Sequence, residues 1–151
     1  MLNFDDLPDI VVEKKTYMNA ESPKDAISVS RKGIFTFNST LKKELIDSSE
    51  SKNFWALIRE GEGKLLIRIV SSDPKKDNAA KINKKTGIFS AKTILRNAKS
   101  IPKMRDHLVM FGDKDTKTVR FEKDGKHPIL EVDSKSKTLI LDTNTMVGDV
   151  N

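Results

Sequence analysis

Ile27-Ser28-Val29-Ser30-Arg31-Lys32-Gly33-Ile34-Phe35-Thr36-Phe37 is the stretch on which the fold turns. Apolar and polar residues alternate on both sides of a basic, glycine-containing step, which is the two-residue period of a half-buried strand. Arg31-Lys32-Gly33 is turn-prone, so the stretch is either a hairpin or a strand with Gly33 at a bulge. At an offset of 54 residues, Lys85-Thr86-Gly87-Ile88-Phe89 echoes Arg31-Lys32-Gly33-Ile34-Phe35. The chain is therefore expected to repeat one structural unit.

Downstream of the first strand region, Asn38 or Ser39 offers an N-cap for a short helix, Thr40 to Ile46, with Leu41 and Leu45 on one face. A polar link, residues 47–52, leads to Phe54-Trp55-Ala56-Leu57-Ile58 and Lys64-Leu65-Leu66-Ile67-Arg68-Ile69-Val70. Gly61-Glu62-Gly63 separates these two apolar runs, which predicts a β-hairpin. Its resemblance to a phosphate loop is superficial, because no second spaced glycine or Ser/Thr follows and no helix begins there.

The second half follows the same order. Ser90 is expected to cap a helix from Ala91 to Lys99, whose Ala91, Ile94, Leu95 and Ala98 fall at i, i+3, i+4 and i+7. Two hairpins then compete for the closing position. Leu108–Phe111 with Thr118–Phe121 is read as an insertion near residues 103–126, and Ile129–Val132 with Thr138–Leu141 as the counterpart of the first-half hairpin.

The expected architecture is thus α+β: one β-rich domain of two β-α-β-β halves, 27–71 and 72–151, forming a pseudo-twofold barrel or sheet with short helices. Residues 1–26 are read as an acidic N-terminal arm carrying one alternating piece at Ile10–Glu13.

With 151 residues, 36% hydrophobic and 33% charged, the chain has the composition of a foldable single domain. No apolar run approaches the roughly 20 residues needed to cross a bilayer, and the N-terminus lacks a secretory pattern. A cytoplasmic protein without membrane association is expected. Cysteine is absent, which removes disulfides, thiolate zinc sites and cysteine nucleophiles. His107 and His127 are the only histidines and have no third ligand at motif spacing, so neither a metal site nor a histidine-based catalytic pair is expected. The acidic residues are scattered at hairpin ends. No cofactor, no small-molecule substrate and no enzymatic activity are expected.

Charge is unevenly distributed. The net +6 resolves into −3 over residues 1–27, +3 over 28–71, +7 over 72–106 and −1 over 107–151. On the second predicted helix Lys92, Arg96 and Lys99 lie at i, i+4 and i+7, opposite the apolar face. Lys81, Lys84 and Lys85 precede it, and Arg31, Lys32, Lys42 and Lys43 occupy related places in the first half. These ten residues are the candidate contacts to nucleic-acid phosphates, and binding through them would weaken steeply with salt. A merely solvated basic face accounts for the same pattern. Lysine outnumbering arginine favours backbone contact over bidentate base recognition. Phe35, Phe37 and Trp55 could stack bases if exposed, although the alternation places them in the core.

The first half, with its central Arg31-Lys32-Gly33 step, its Leu41-Lys42-Lys43-Glu44-Leu45 helix and its apolar hairpin, resembles the AbrB-type swapped-hairpin DNA-binding domain in duplicated form. The resemblance covers residues 27–70 well and 80–142 loosely. It implies an interleaved barrel and DNA binding, regulatory or architectural. The family's apolar-proline step before the helix is replaced here by Phe37-Asn38. The pattern is equally similar to a poorly characterised duplicated βαββ family, which implies a fold but no function. A protein-binding or assembly module of phage or mobile-element origin is the alternative function, and a homodimer remains open.

Overall fold

A computed structural model describes residues 4–9, 24–110, 118–124 and 128–146. The alternating piece at Ile10–Glu13 and His127 lie outside these residues. After a single 3₁₀ turn, Phe4–Asp6, the described chain enters β1 (Ala26–Ser30) and β2 (Ile34–Phe37), an antiparallel hairpin with Val29 opposite Phe35. The hairpin alternative is therefore the one the chain adopts. Gly33 has φ +76°, the left-handed conformation glycine adopts without steric cost.

Helix α1 (Ser39–Lys42) follows, and it widens into a π-turn, Lys43–Asp47. Asn38 caps it, Oδ1 accepting from the Leu41 N–H at 2.9 Å, while its Nδ2 donates to the Lys24 carbonyl at 2.6 Å. The wider turn lets the consecutive Leu45 and Ile46 both be buried, alongside Leu41.

β3 (Phe54–Gly61) and β4 (Lys64–Val70) form the predicted hairpin. Glu62 and Gly63 both have positive φ, as a two-residue loop matched to strand twist requires. β5 (Ala79–Ile82) and β6 (Ile88–Ser90) come next, then α2 (Lys92–Arg96), α3 (Pro102–Met110), β7 (Thr118–Glu122), β8 (Ile129–Asp133) and β9 (Thr138–Asp142). A 3₁₀ turn, Thr143–Thr145, ends the described chain.

The nine strands form one sheet in the order β5-β3-β4-β9-β8-β7-β1-β2-β6. Its two ends are the β5–β6 pair, joined by a bridge between Asn83 and Ile88, so the sheet curls into a nearly closed barrel. Every pairing is antiparallel except β7–β8, a parallel join at Glu122 and Ile129 alone. Alternate residues of each strand point inward: Ile27 and Val29, Phe35 and Phe37, Phe54, Ala56 and Ile58, Leu65, Ile67 and Ile69, Leu139 and Leu141 are all buried. At the β2–β6 junction Phe35 is paired with Phe89, and the rings stack at 4.8 Å between centroids. Leu95 of α2, Ile101 just before α3 and Met104 of α3 complete the core.

Three expectations are corrected. Leu108–Met110 is the end of α3 rather than a strand, because Pro102, suited to the first helical turn, starts a helix that continues through this apolar run. The inserted hairpin therefore does not form as such; Thr118–Phe121 is a strand, but it pairs with β1. Ser90 does not cap the second helix, since it is paired with Ile34 in the β2–β6 ladder, and Ala91 stands at the N-cap without a capping side chain. That helix also stops at Arg96. Beyond it, the backbone N–H groups of Lys99 and Ser100 donate to the two carboxylate oxygens of Glu60 at 2.9 and 3.0 Å.

Candidate nucleic-acid interface

The two glycine turns decide where the cations stand. Gly33 packs so closely on the start of α2 that an added Cβ would lie 2.6 Å from Lys92 Cα. The Ala91 N–H donates to the Gly33 carbonyl at 2.8 Å. The Lys32 turn is thereby laid against Lys92. At the other end of the β2–β6 pair, the Phe37 N–H donates to the Gly87 carbonyl at 2.9 Å, and the Lys42 side chain lies over Gly87. The Lys84-Lys85 turn is thereby laid against α1.

Both turns are held by side-chain caps. Ser30 Oγ accepts from the Lys32 and Ile34 N–H groups at 3.2 Å each, and Asn83 Oδ1 accepts from those of Lys85 and Thr86 at 3.0 and 3.2 Å.

Two basic turn-and-helix clusters therefore flank the β2–β6 junction. Gly33 and Gly87 sit at opposite ends of it, four residues of β2 apart. At about 3.4 Å per residue this is roughly 14 Å. Between them the outward side chains are Ile34, Thr36, Ile88 and Ser90, of which Ile34 (37%) and Ile88 (38%) are among the few exposed large apolar residues described.

The ten cations expected from the sequence do not stand alike. Lys32, Lys43, Lys85, Lys92, Arg96 and Lys99 are exposed. Lys99 has left the helix and is displaced from the line through Lys92 and Arg96. Lys81 is exposed, its Nζ 6.0 Å from the centre of the Trp55 ring. Lys42 is half-buried and paired with Asp47 at 3.0 Å, which neutralises much of its field. Lys84 Nζ donates to the Ser51 carbonyl at 2.7 Å and lies 5.7 Å from the Phe54 ring centre. Arg31 is only 3% exposed, so it is not on the surface with the other cations. Phe35 and Phe37 are buried and offer no stacking surface; Trp55 is half-exposed on the outer wall.

Sequence reasoning missed a carboxyl pair behind α1. Asp25 is 6% exposed, and its pKa is pushed up to about 6, first by burial, then by a hydrogen bond to Glu44 and by the charge of Glu44. Lys123 opposes this rise and Asp124 adds to it. Glu44 is lowered by the same hydrogen bond and by one from Ser134. Asp25, Glu44 and Ser134 are brought together only by tertiary packing, and spacing along the chain carries no trace of it. Among the described residues no group of three or more His, Cys, Asp or Glu side chains could hold a metal ion. No described helix is long and apolar enough to cross a membrane.

No family model matches the chain, and neither a curated protein nor a solved structure matches it.

Proposed function

We propose that this chain is a non-enzymatic nucleic-acid-binding protein, DNA being the expected ligand, and that it contacts phosphates through the two turn-and-helix clusters at the β2–β6 junction. The observation that carries this is the packing of each glycine turn on the helix of the other half. Gly33 lies against Lys92 and Gly87 against the Lys42 stem, at two places roughly 14 Å apart, which supports phosphate contacts from Lys32, Lys92 and Arg96 at one and from Lys43 and Lys85 at the other, a separation close to the about 12 Å width of a major groove. The net +7 of residues 72–106 adds an attractive field.

We further propose that the barrel arose by duplication of one β-α-β-β unit, as in the AbrB-type arrangement. Exchanging β1 with β5, β2 with β6, β4 with β9, and β3 with the β7–β8 pair leaves the strand order unchanged. The hydrogen bonds Phe37 to Gly87 and Ala91 to Gly33 are related by the 54-residue offset seen in the sequence. Phe35 and Phe89, also 54 apart, are paired at the centre of this exchange.

Fluorescence anisotropy with a labelled duplex and the matching single strand, at about 0.02 and 0.2 M salt, tests the binding proposal. Affinity should fall steeply with salt, and the double variant Lys32→Gln, Lys92→Gln should lower the log–log slope by about 2. No binding of either probe at the lower salt would refute the proposal.

A further inference from the structure

On the opposite wall of the barrel, the outward residues of four consecutive strands form a grid fixed by the pairing registers. One row runs Arg59, Leu66, Ile140, Glu131 across β3, β4, β9 and β8. In the row beside it, Lys64 on β4 is opposite Asp142 on β9. On the other side, Arg68 on β4 is opposite Thr138, whose neighbour on β8 is Asp133. The β3–β4 half of this wall is thus basic, the β9–β8 half acidic, and Leu66 and Ile140 lie at the seam. Arg59, Arg68, Glu131 and Asp133 are exposed, while the two seam residues are half-buried. Among the described residues, Arg59, Lys64, Glu131 and Asp142 form no ion pair within 4.0 Å. Between Arg59 and Arg68 the wall is indented by a cleft of about 70 Å³ floored by Leu57 and Leu66.

From this pattern we infer that the β3-β4-β9-β8 wall binds a second copy of the chain. A twofold axis running along the strands, between β4 and β9, turns each half onto the opposite half of the partner. Under that operation Arg59 of each copy meets Glu131 of the other, Lys64 meets Asp142, and Leu66 meets Ile140. Arg68 meets Thr138, beside Asp133. The wall is self-complementary in the Arg59 and Lys64 rows, as an isologous interface must be, while in the third row Asp133 lies over Leu57; a twofold axis across the strands would instead set Arg59 on Arg59 and Glu131 on Glu131. Aligned sheets packed face to face provide the spacing for such contacts.

Three rows on four strands cover about 300 Å² per copy. That is well below the roughly 800 Å² per partner of a standard interface, so the dimer is weak and its exposed charges make it salt-sensitive.

Sedimentation equilibrium at high protein concentration, in about 0.02 M and about 0.5 M salt, tests this on the full chain. The wild type should approach twice its 17.0 kDa mass at low salt and return toward it at high salt. Arg59→Glu and Glu131→Arg each oppose like charges twice, so each variant alone should stay monomeric at low salt. Mixed in equal amounts they should associate, because every reversed charge then faces its complement. Both substitutions are at exposed positions, and an unchanged circular dichroism spectrum confirms that the variants fold. A monomeric wild type at low salt overturns the inference. So does a folded single variant that dimerises as well as the wild type, or a mixture of folded variants that remains monomeric.

Discussion

Gly33→Ala and Gly87→Ala are the same substitution at two turns of similar sequence, yet the packing around them predicts different costs. Both glycines have positive φ, +76° and +68°, so alanine at either turn carries a left-handed backbone penalty of about 1–2 kcal/mol. The remaining cost depends on what the new methyl meets. At Gly87 it would lie 3.1 Å from Lys42 Cδ and 3.4 Å from Phe37 Cβ; the lysine stem can swing aside. At Gly33 it would lie 2.6, 2.8 and 2.9 Å from Cα, N and Cβ of Lys92, atoms that move only if the start of α2 moves. Overpacking of that kind adds about 1–3 kcal/mol. It also strains the Ala91-to-Gly33 hydrogen bond. Gly87→Ala should therefore destabilise by about 1–2 kcal/mol and Gly33→Ala by about 2–5 kcal/mol in urea titrations with a common m-value. The thermal midpoint should fall by roughly 2–4 °C per kcal/mol for a chain of this length. Equal losses at the two turns would refute the assignment of the extra cost to the α2 backbone. A larger loss at Gly87 would invert the described packing.

Asp25→Asn should stabilise the protein at alkaline pH. The native state holds the Asp25 proton more tightly than the unfolded chain does, so its contribution is full below about pH 4 and lost as pH rises through about 6. At about 1.4 kcal/mol per pH unit the loss is at most about 3 kcal/mol, and the amide should recover part of it. Glu44, lowered, has the opposite sign at acid pH: its stabilisation is present above its unfolded value and lost as pH falls. Melting curves should show the variant above wild type at pH 8, with the gap closing near pH 4; a variant less stable at pH 8 would contradict the raised Asp25 pKa. Asn38→Ala removes both the cap on α1 and the bond to the Lys24 carbonyl, and should cost about 1–2 kcal/mol in urea titrations. No loss would mean that packing alone sets the start of α1.

The strands and their inward faces were legible in the sequence because most of the barrel wall has one side in the core and the other toward solvent. Ile27, Val29, Phe35 and Phe37 alternate with polar or less buried residues, and they are buried as that period requires. The hairpin over Phe54–Val70 was legible for the same reason, and its Glu62-Gly63 loop marks the turn. Leu108–Met110 was misread because a short apolar run fits either period, and what decides it is Pro102, six residues earlier. The burial of Arg31 was hidden, since a cation in a turn is ordinarily solvated. The clamp of Glu60 on the backbone of Lys99 and Ser100, and the Asp25–Glu44 pair, join residues that packing rather than spacing along the chain brings together.

The two proposed faces lie on nearly opposite walls, since the β4–β9 and β2–β6 junctions are separated by about half the strand order. This has a consequence for the kind of complex formed. A dimer made through the β4–β9 wall would leave both β2–β6 walls pointing away from the interface. Two copies could not then lay their cation clusters side by side on adjacent half-sites of a straight duplex, as a twofold regulator does. They would hold two separate segments, one on each outer wall. Under both proposals the expected role is architectural rather than site-specific regulation, and the preponderance of lysine over arginine among the exposed cations would suit backbone contact. The weakness expected of the interface fits the same role: bridging would depend on local protein concentration along the nucleic acid, and salt would weaken binding and bridging together.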